Sequence, residues 1–98
     1  MRDLTTRICQ NAFVDKIRDL QIDRDSYETL CSDLRELGKM WRDVNSVDKK
    51  LAGEVYCIVR TVNYAAAKMR ELNMPETNEV EDMWTTLDAL ALECFAER

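Results

Sequence analysis

Apolar residues recur along this chain at every third or fourth position, the spacing that places them on one face of an α-helix. The clearest stretch holds Tyr27, Leu30, Cys31, Leu34, Leu37, Gly38, Trp41 and Val44 on one stripe, and its opposite face is polar except for Met40. This pattern predicts a helix over about 26–45. Asp25 followed three residues later by Glu28 reads as a capping box opening it, with Ser26 as the competing cap. Gly38 on the buried stripe costs about 1 kcal/mol relative to alanine, and its presence predicts a neighbouring helix at close approach.

Three more helices follow from the same reading. The first, about 4–20, carries Cys9, Phe13, Ile17 and Leu20, widened by Ala12 and Val14, with Ile8 off the stripe. The third, about 47–72, begins after a short connection at Asn45 and Ser46, is capped by Ser46 or Asp48, and ends at Asn73 with Pro75 beyond as a stop. The fourth, about 78–96, opens on Asn78 and Glu81 as a second capping box, with Pro75 as an alternative first-turn residue. It is expected to bury Val80, Met83, Trp84, Leu87, Leu90, Ala91, Cys94 and Phe95.

Four helices joined by short turns predict one all-α domain over 1–98, a compact four-helix bundle of up-down-up-down antiparallel order, with orthogonal packing as the alternative. The brief link between the second and third helices implies an antiparallel neighbour or a sharp corner. Two Gly and one Pro agree with the absence of β structure, whose turns need both.

The third helix has more apolar surface than one buried face requires. Val47, Leu51, Val55, Ile58, Val59, Val62, Ala65, Ala66 and Met69 fill a broad core arc. Beside it lie Ala52, Tyr56, Asn63 and Ala67, and on its back Cys57 and Tyr64 sit between Arg60 and Lys68. Such a helix either stands at the centre of the bundle or offers a contact surface, for which Tyr56, Arg60, Asn63, Tyr64 and Lys68 are the candidates. On the fourth helix Ala89, Leu92 and Ala96 also point away from the core stripe, which adds a homodimer through helical faces to the readings.

Charge sharpens this picture. The chain carries a net −5, and residues 75–98 hold seven acids against Arg98 alone. Acids in the first turn of a helix are favoured by its dipole. Asp82, Glu93 and Glu97 lie further along one side, however, as an acidic stripe that could meet a basic partner surface.

The chemistry sought elsewhere is thin. With no histidine, the bundle offers neither a Glu-x-x-His metal site nor the usual base for a Ser or Cys nucleophile. Four scattered cysteines without a CxxC read as reduced thiols, three of them on apolar faces. Acidic pairs at Asp33 and Glu36, and at Glu79 and Asp82, have magnesium-binding spacing, but Asp33 and Glu36 are expected on the outer face of the second helix. The opening MRDLTTRICQ and the lack of a long apolar run predict a soluble, cytoplasmic protein with no membrane contact. No cofactor is implied, and net negative charge makes direct nucleic-acid binding an unfavoured reading.

The sequence therefore suggests a non-catalytic protein-interaction module, such as a small acidic inhibitor, immunity or adaptor protein whose partner presents a basic, nucleic-acid-binding surface. The alternatives are a small metal-dependent helical enzyme using Glu79 and Asp82, and a nucleic-acid-binding regulator acting through the third helix.

Overall fold

A computed structural model of the chain describes residues 3–42, 44 and 46–95. These form the helices α1 (Leu4–Cys9), α2 (Ala12–Arg18), α3 (Arg24–Trp41), α4 (Lys49–Glu71) and α5 (Thr77–Phe95), with no strand among the described residues. The architecture is a four-helix bundle in which α1 and α2 together take the place of one helix.

The helix expected over 4–20 is thus broken in two. Asn11 interrupts it: its side-chain oxygen accepts from the Phe13 N–H at 2.8 Å, and its amide donates to the Ser26 carbonyl at 3.0 Å. An asparagine that caps a new helix while tying it to the next one competes well with a continuous turn. The break resets the helical phase. Ile8, off the continuous stripe, is fully buried, and Cys9, placed on that stripe, is exposed.

Local side chains set the other boundaries. Asp23, rather than Asp25 or Ser26, caps α3, accepting from the Ser26 N–H at 3.1 Å and its hydroxyl at 2.9 Å. The helix stops at Trp41, four residues short of the expected end, so Val44 lies beyond it, exposed. Asp48 caps α4 by accepting from Lys50 and Leu51. Its far end closes in a Schellman turn: Asn73 takes φ 55°, and Met74 N–H donates to the Met69 carbonyl. Leu20 closes α2 in the same way at φ 61°, a conformation that costs leucine more than asparagine.

The buried faces of all five helices meet in one cluster that includes Phe13, Ile17, Leu34, Leu37, Val55, Ile58, Val62, Met69, Val80 and Leu87. Around it, α1 and α2 pack on α3 and α4, and α5 packs on α3 and α4 from the opposite side. Among the described residues α3 and α4 make no close approach and lie diagonally across the bundle. The helix that follows α3 in the chain is therefore its diagonal counterpart, not a packed neighbour. Gly38 does face α5, with Cys94 Sγ 3.9 Å from where a Cβ would stand.

Other side chains also lie contrary to expectation: Val47, assigned to the core arc of the third helix, lies ahead of α4 and is 38% exposed. Phe95 is 43% exposed, and Asp33, expected on the outer face of α3, is buried at 6%. The reason is α1, which leans on the flank of α3 and brings Arg7 over the carboxylate, Nε 3.4 Å from Oδ1.

Candidate interaction surface

Three residues of α4, each four positions from the next, start the site. Tyr56 and Tyr64 are exposed at 60% and 61%, and Arg60 lies between them. A helix brings such positions into line. The Arg60 guanidinium donates to the Tyr64 hydroxyl at 2.9 Å and lies 5.3 Å from the centre of its ring. Hydrogen bonds to Tyr64 first, and to Tyr56 second, hold its pKa above the usual arginine value. The row Tyr56, Arg60, Tyr64 thus places a cation between two exposed tyrosines, bonded to the second of them.

Alongside this row runs an open groove of about 310 Å³ between α4 and α5. Tyr56, Val59, Arg60 and Asn63 form one wall, and Trp84, Asp88, Ala91, Leu92 and Phe95 form the other. An ion pair from Arg70 to Glu81 ties the helices at one end, and Phe95 packs on Trp41 of α3 at the other, ring centres 5.7 Å apart. Trp41 is the last residue of α3, and the Phe95 ring that packs on it stays 43% exposed. Leu92 projects at 64% exposure.

The candidate residues separate into three places. Tyr56, Arg60 and Asn63 share the α4–α5 groove. Tyr64 and Lys68 border a second depression of about 570 Å³ between the end of α2 and α4, with Arg18, Asp19, Leu20 and Thr61. Asp82 and Glu93 are exposed on α5, within about 20° of one another around the helix and a third of a turn or more from Asp88. They form an outer face separate from the groove. Glu97 lies outside the described residues.

The groove's second wall was hidden from the sequence reading. Trp84 and Phe95 fall on the apolar stripe of α5 and read as core, whereas Leu92 was already visible as an off-stripe residue. Of the acidic pair proposed for metal, Glu79 is engaged at both oxygens by Arg24, at 2.6 and 2.7 Å, which holds its pKa below the usual carboxylate value. Among the described residues no three Cys, Asp or Glu side chains converge as metal ligands. Cys31 and Cys94 are buried thiols, and Cys9 and Cys57 are exposed. Burial pushes the Cys94 thiol up to about 11, away from nucleophilic use. No described helix is long and apolar enough to cross a membrane. Comparison with protein-family models, curated proteins and solved structures finds no match to this chain.

Proposed function

We propose that the protein is a non-catalytic interaction module that grips another protein chain through the groove between α4 and α5. The observation that carries this reading is the meeting of Tyr56, Arg60, Trp84 and Leu92 in one open groove. Tyrosine, tryptophan and arginine are the side chains that dominate binding energy at interface centres, the aromatics because they bury much area at little entropic cost and arginine because its planar guanidinium makes several hydrogen bonds at once. A chain that only had to fold would gain by covering them.

Asp82 and Glu93 act at longer range in this reading. Their face draws in a partner with a basic surface and speeds encounter, while the groove supplies the contact. An acidic inhibitor or adaptor of a basic protein fits this division of roles. The four cysteines are free thiols, which suits a reducing compartment such as the cytoplasm.

The test is affinity capture from the source cell with three forms of the chain, each first checked for native helicity by circular dichroism. Tyr56→Ser combined with Leu92→Ser is expected to lose the partner about tenfold or more, as removal of interface anchors does. Asp82→Lys combined with Glu93→Lys is expected to weaken capture at low salt and much less at high salt. Undiminished capture by the groove variant rules the groove out as the contact surface.

A further inference from the structure

The groove contains one cation and one anion that have not found each other. Arg60 and Asp88 stand on opposite walls, and neither forms an ion pair among the described residues. Arg35, Lys39, Arg42, Lys49 and Lys50 also lie outside the ion pairs, so what sets Arg60 and Asp88 apart is that they share one groove with Tyr56, Leu92 and Phe95. The register set by Arg70 and Glu81 separates Arg60 from Asp88 by about one helical turn along the groove.

We propose that the groove's occupant is a second copy of this chain, joined about a two-fold axis that pairs Arg60 of each copy with Asp88 of the other. This rests on the groove being the contact surface, and it seats a second copy there in place of the basic partner, whose docking side is then the outer face of α5 with Asp82 and Glu93. A two-fold interface brings residue i against j and j against i, so a face bearing one unpaired charge of each sign is complementary to itself. An axis running along the groove lays α4 of one copy over α5 of the other, and the long Arg60 side chain spans the remaining turn.

Charge elsewhere favours this face. Each copy carries −5, so two copies repel unless they meet where the surface is locally neutral. The groove, with Arg60 and Asp88, is such a place, and the outer face of α5, with Asp82 and Glu93, is not. Area agrees. Tyr56, Leu92 and Phe95, at 60%, 64% and 43% exposure, leave roughly 300–400 Å² of apolar surface uncovered, the size of a functional patch on a monomer. Asn63, Arg60 and Asp88 add polar surface at the rim, as a standard interface of roughly 800 Å² per partner requires around its apolar centre.

The experiment is sedimentation equilibrium on the purified full chain across a wide concentration range, with Arg60→Asp, Asp88→Arg, their combination, and Leu92→Arg. A concentration-dependent dimer is expected. Each single charge reversal sets like charges face to face twice and weakens it about tenfold or more, and the combined reversal restores it. Leu92→Arg abolishes it. A wild-type chain that is monomeric at the highest concentration overturns the proposal, as does a dimer indifferent to Leu92→Arg or to both single reversals. A monomer whose capture of a different protein is still lost on Tyr56→Ser with Leu92→Ser overturns the second copy as occupant and leaves the interaction reading standing.

Discussion

Arg7 of α1 and Asp33 of α3 form an ion pair across two helices, Nε to Oδ1 3.4 Å, with the aspartate side chain only 8% exposed. The second carboxylate oxygen, Oδ2, is buried without a hydrogen bond among the described residues. Arg7 also reaches the exposed Glu36 at 2.9 Å. A buried carboxylate is tolerated here because the guanidinium offsets part of its lost hydration.

Removing Arg7 alone is therefore expected to cost more than removing the pair. Arg7→Ala leaves a buried charge unpaired and destabilises by about 2 kcal/mol or more, while the double variant Arg7→Ala with Asp33→Leu recovers much of that loss. A double-mutant cycle from urea unfolding measures the coupling. Additive single effects would show that the pair does not act as a unit.

The two glycines sit inside helices and tolerate a methyl group. A Cβ at Gly38 would meet its nearest atoms, in Glu93 and Cys94, at 3.9 Å, an ordinary contact, and one at Gly53 meets nothing within 4 Å. Gly38→Ala and Gly53→Ala are each expected to stabilise by about 0.5–1 kcal/mol, raising Tm by several degrees in a domain this small. The sites lie on helices that do not touch, so the gains add. A fall in Tm for Gly38→Ala would mean that α3 and α5 lie closer than their backbones indicate.

Acid is expected to loosen the junction of α2 with α3. Asp23 accepts hydrogen bonds from Lys16 Nζ at 2.8 Å and from Ser26, and these, Lys16 foremost, hold its pKa at about 2 instead of the ordinary 3.8. A carboxylate whose pKa is lowered by folding stabilises the fold at pH above its unfolded value, and that contribution drains away between about pH 4 and pH 2. Asp23→Asn is thus less stable than the wild type at neutral pH, and the difference narrows as acid is added. Melting curves for both forms at neutral pH and in acid check this, and a gap independent of pH contradicts it.

Phe13 tests the short helix α2. It is fully buried, and its ring packs on Tyr27 of α3 with centres 5.3 Å apart. Phe13→Ala is expected to cost about 3–5 kcal/mol, a large part of the whole stability of a domain this size. Denaturant unfolding monitored by helicity gives the value. A cost near 1 kcal/mol would mean that α2 contributes little to the core.

The long helices were legible because periodicity is a local property, written in the spacing of Leu30, Leu34 and Leu37 or of Val55, Ile58 and Val62. Asp48 and Asn73 were legible for the same reason, since a cap bonds within a few residues of itself. The break at Asn11 was not, because one of the two bonds that hold it goes to Ser26, fifteen residues away. Nor was the groove complete in the sequence. Tyr56, Asn63 and Leu92 stood out as off-stripe residues, but Trp84 and Phe95 read as core, and Phe95 packs on Trp41 while staying 43% exposed.

By itself, then, the sequence determined an all-helical chain, the apolar face of each long helix and the excess on the third, because these depend on residues within a few turns of one another. The tertiary structure alone decided that α3 and α4 lie diagonally, that Asp33 is buried beneath Arg7, and that Arg60 and Asp88 face one groove while Asp82 and Glu93 face another way. Those relations arise from how the helices are placed against each other, and a helix's own periodicity carries no information about which neighbour its flank will meet.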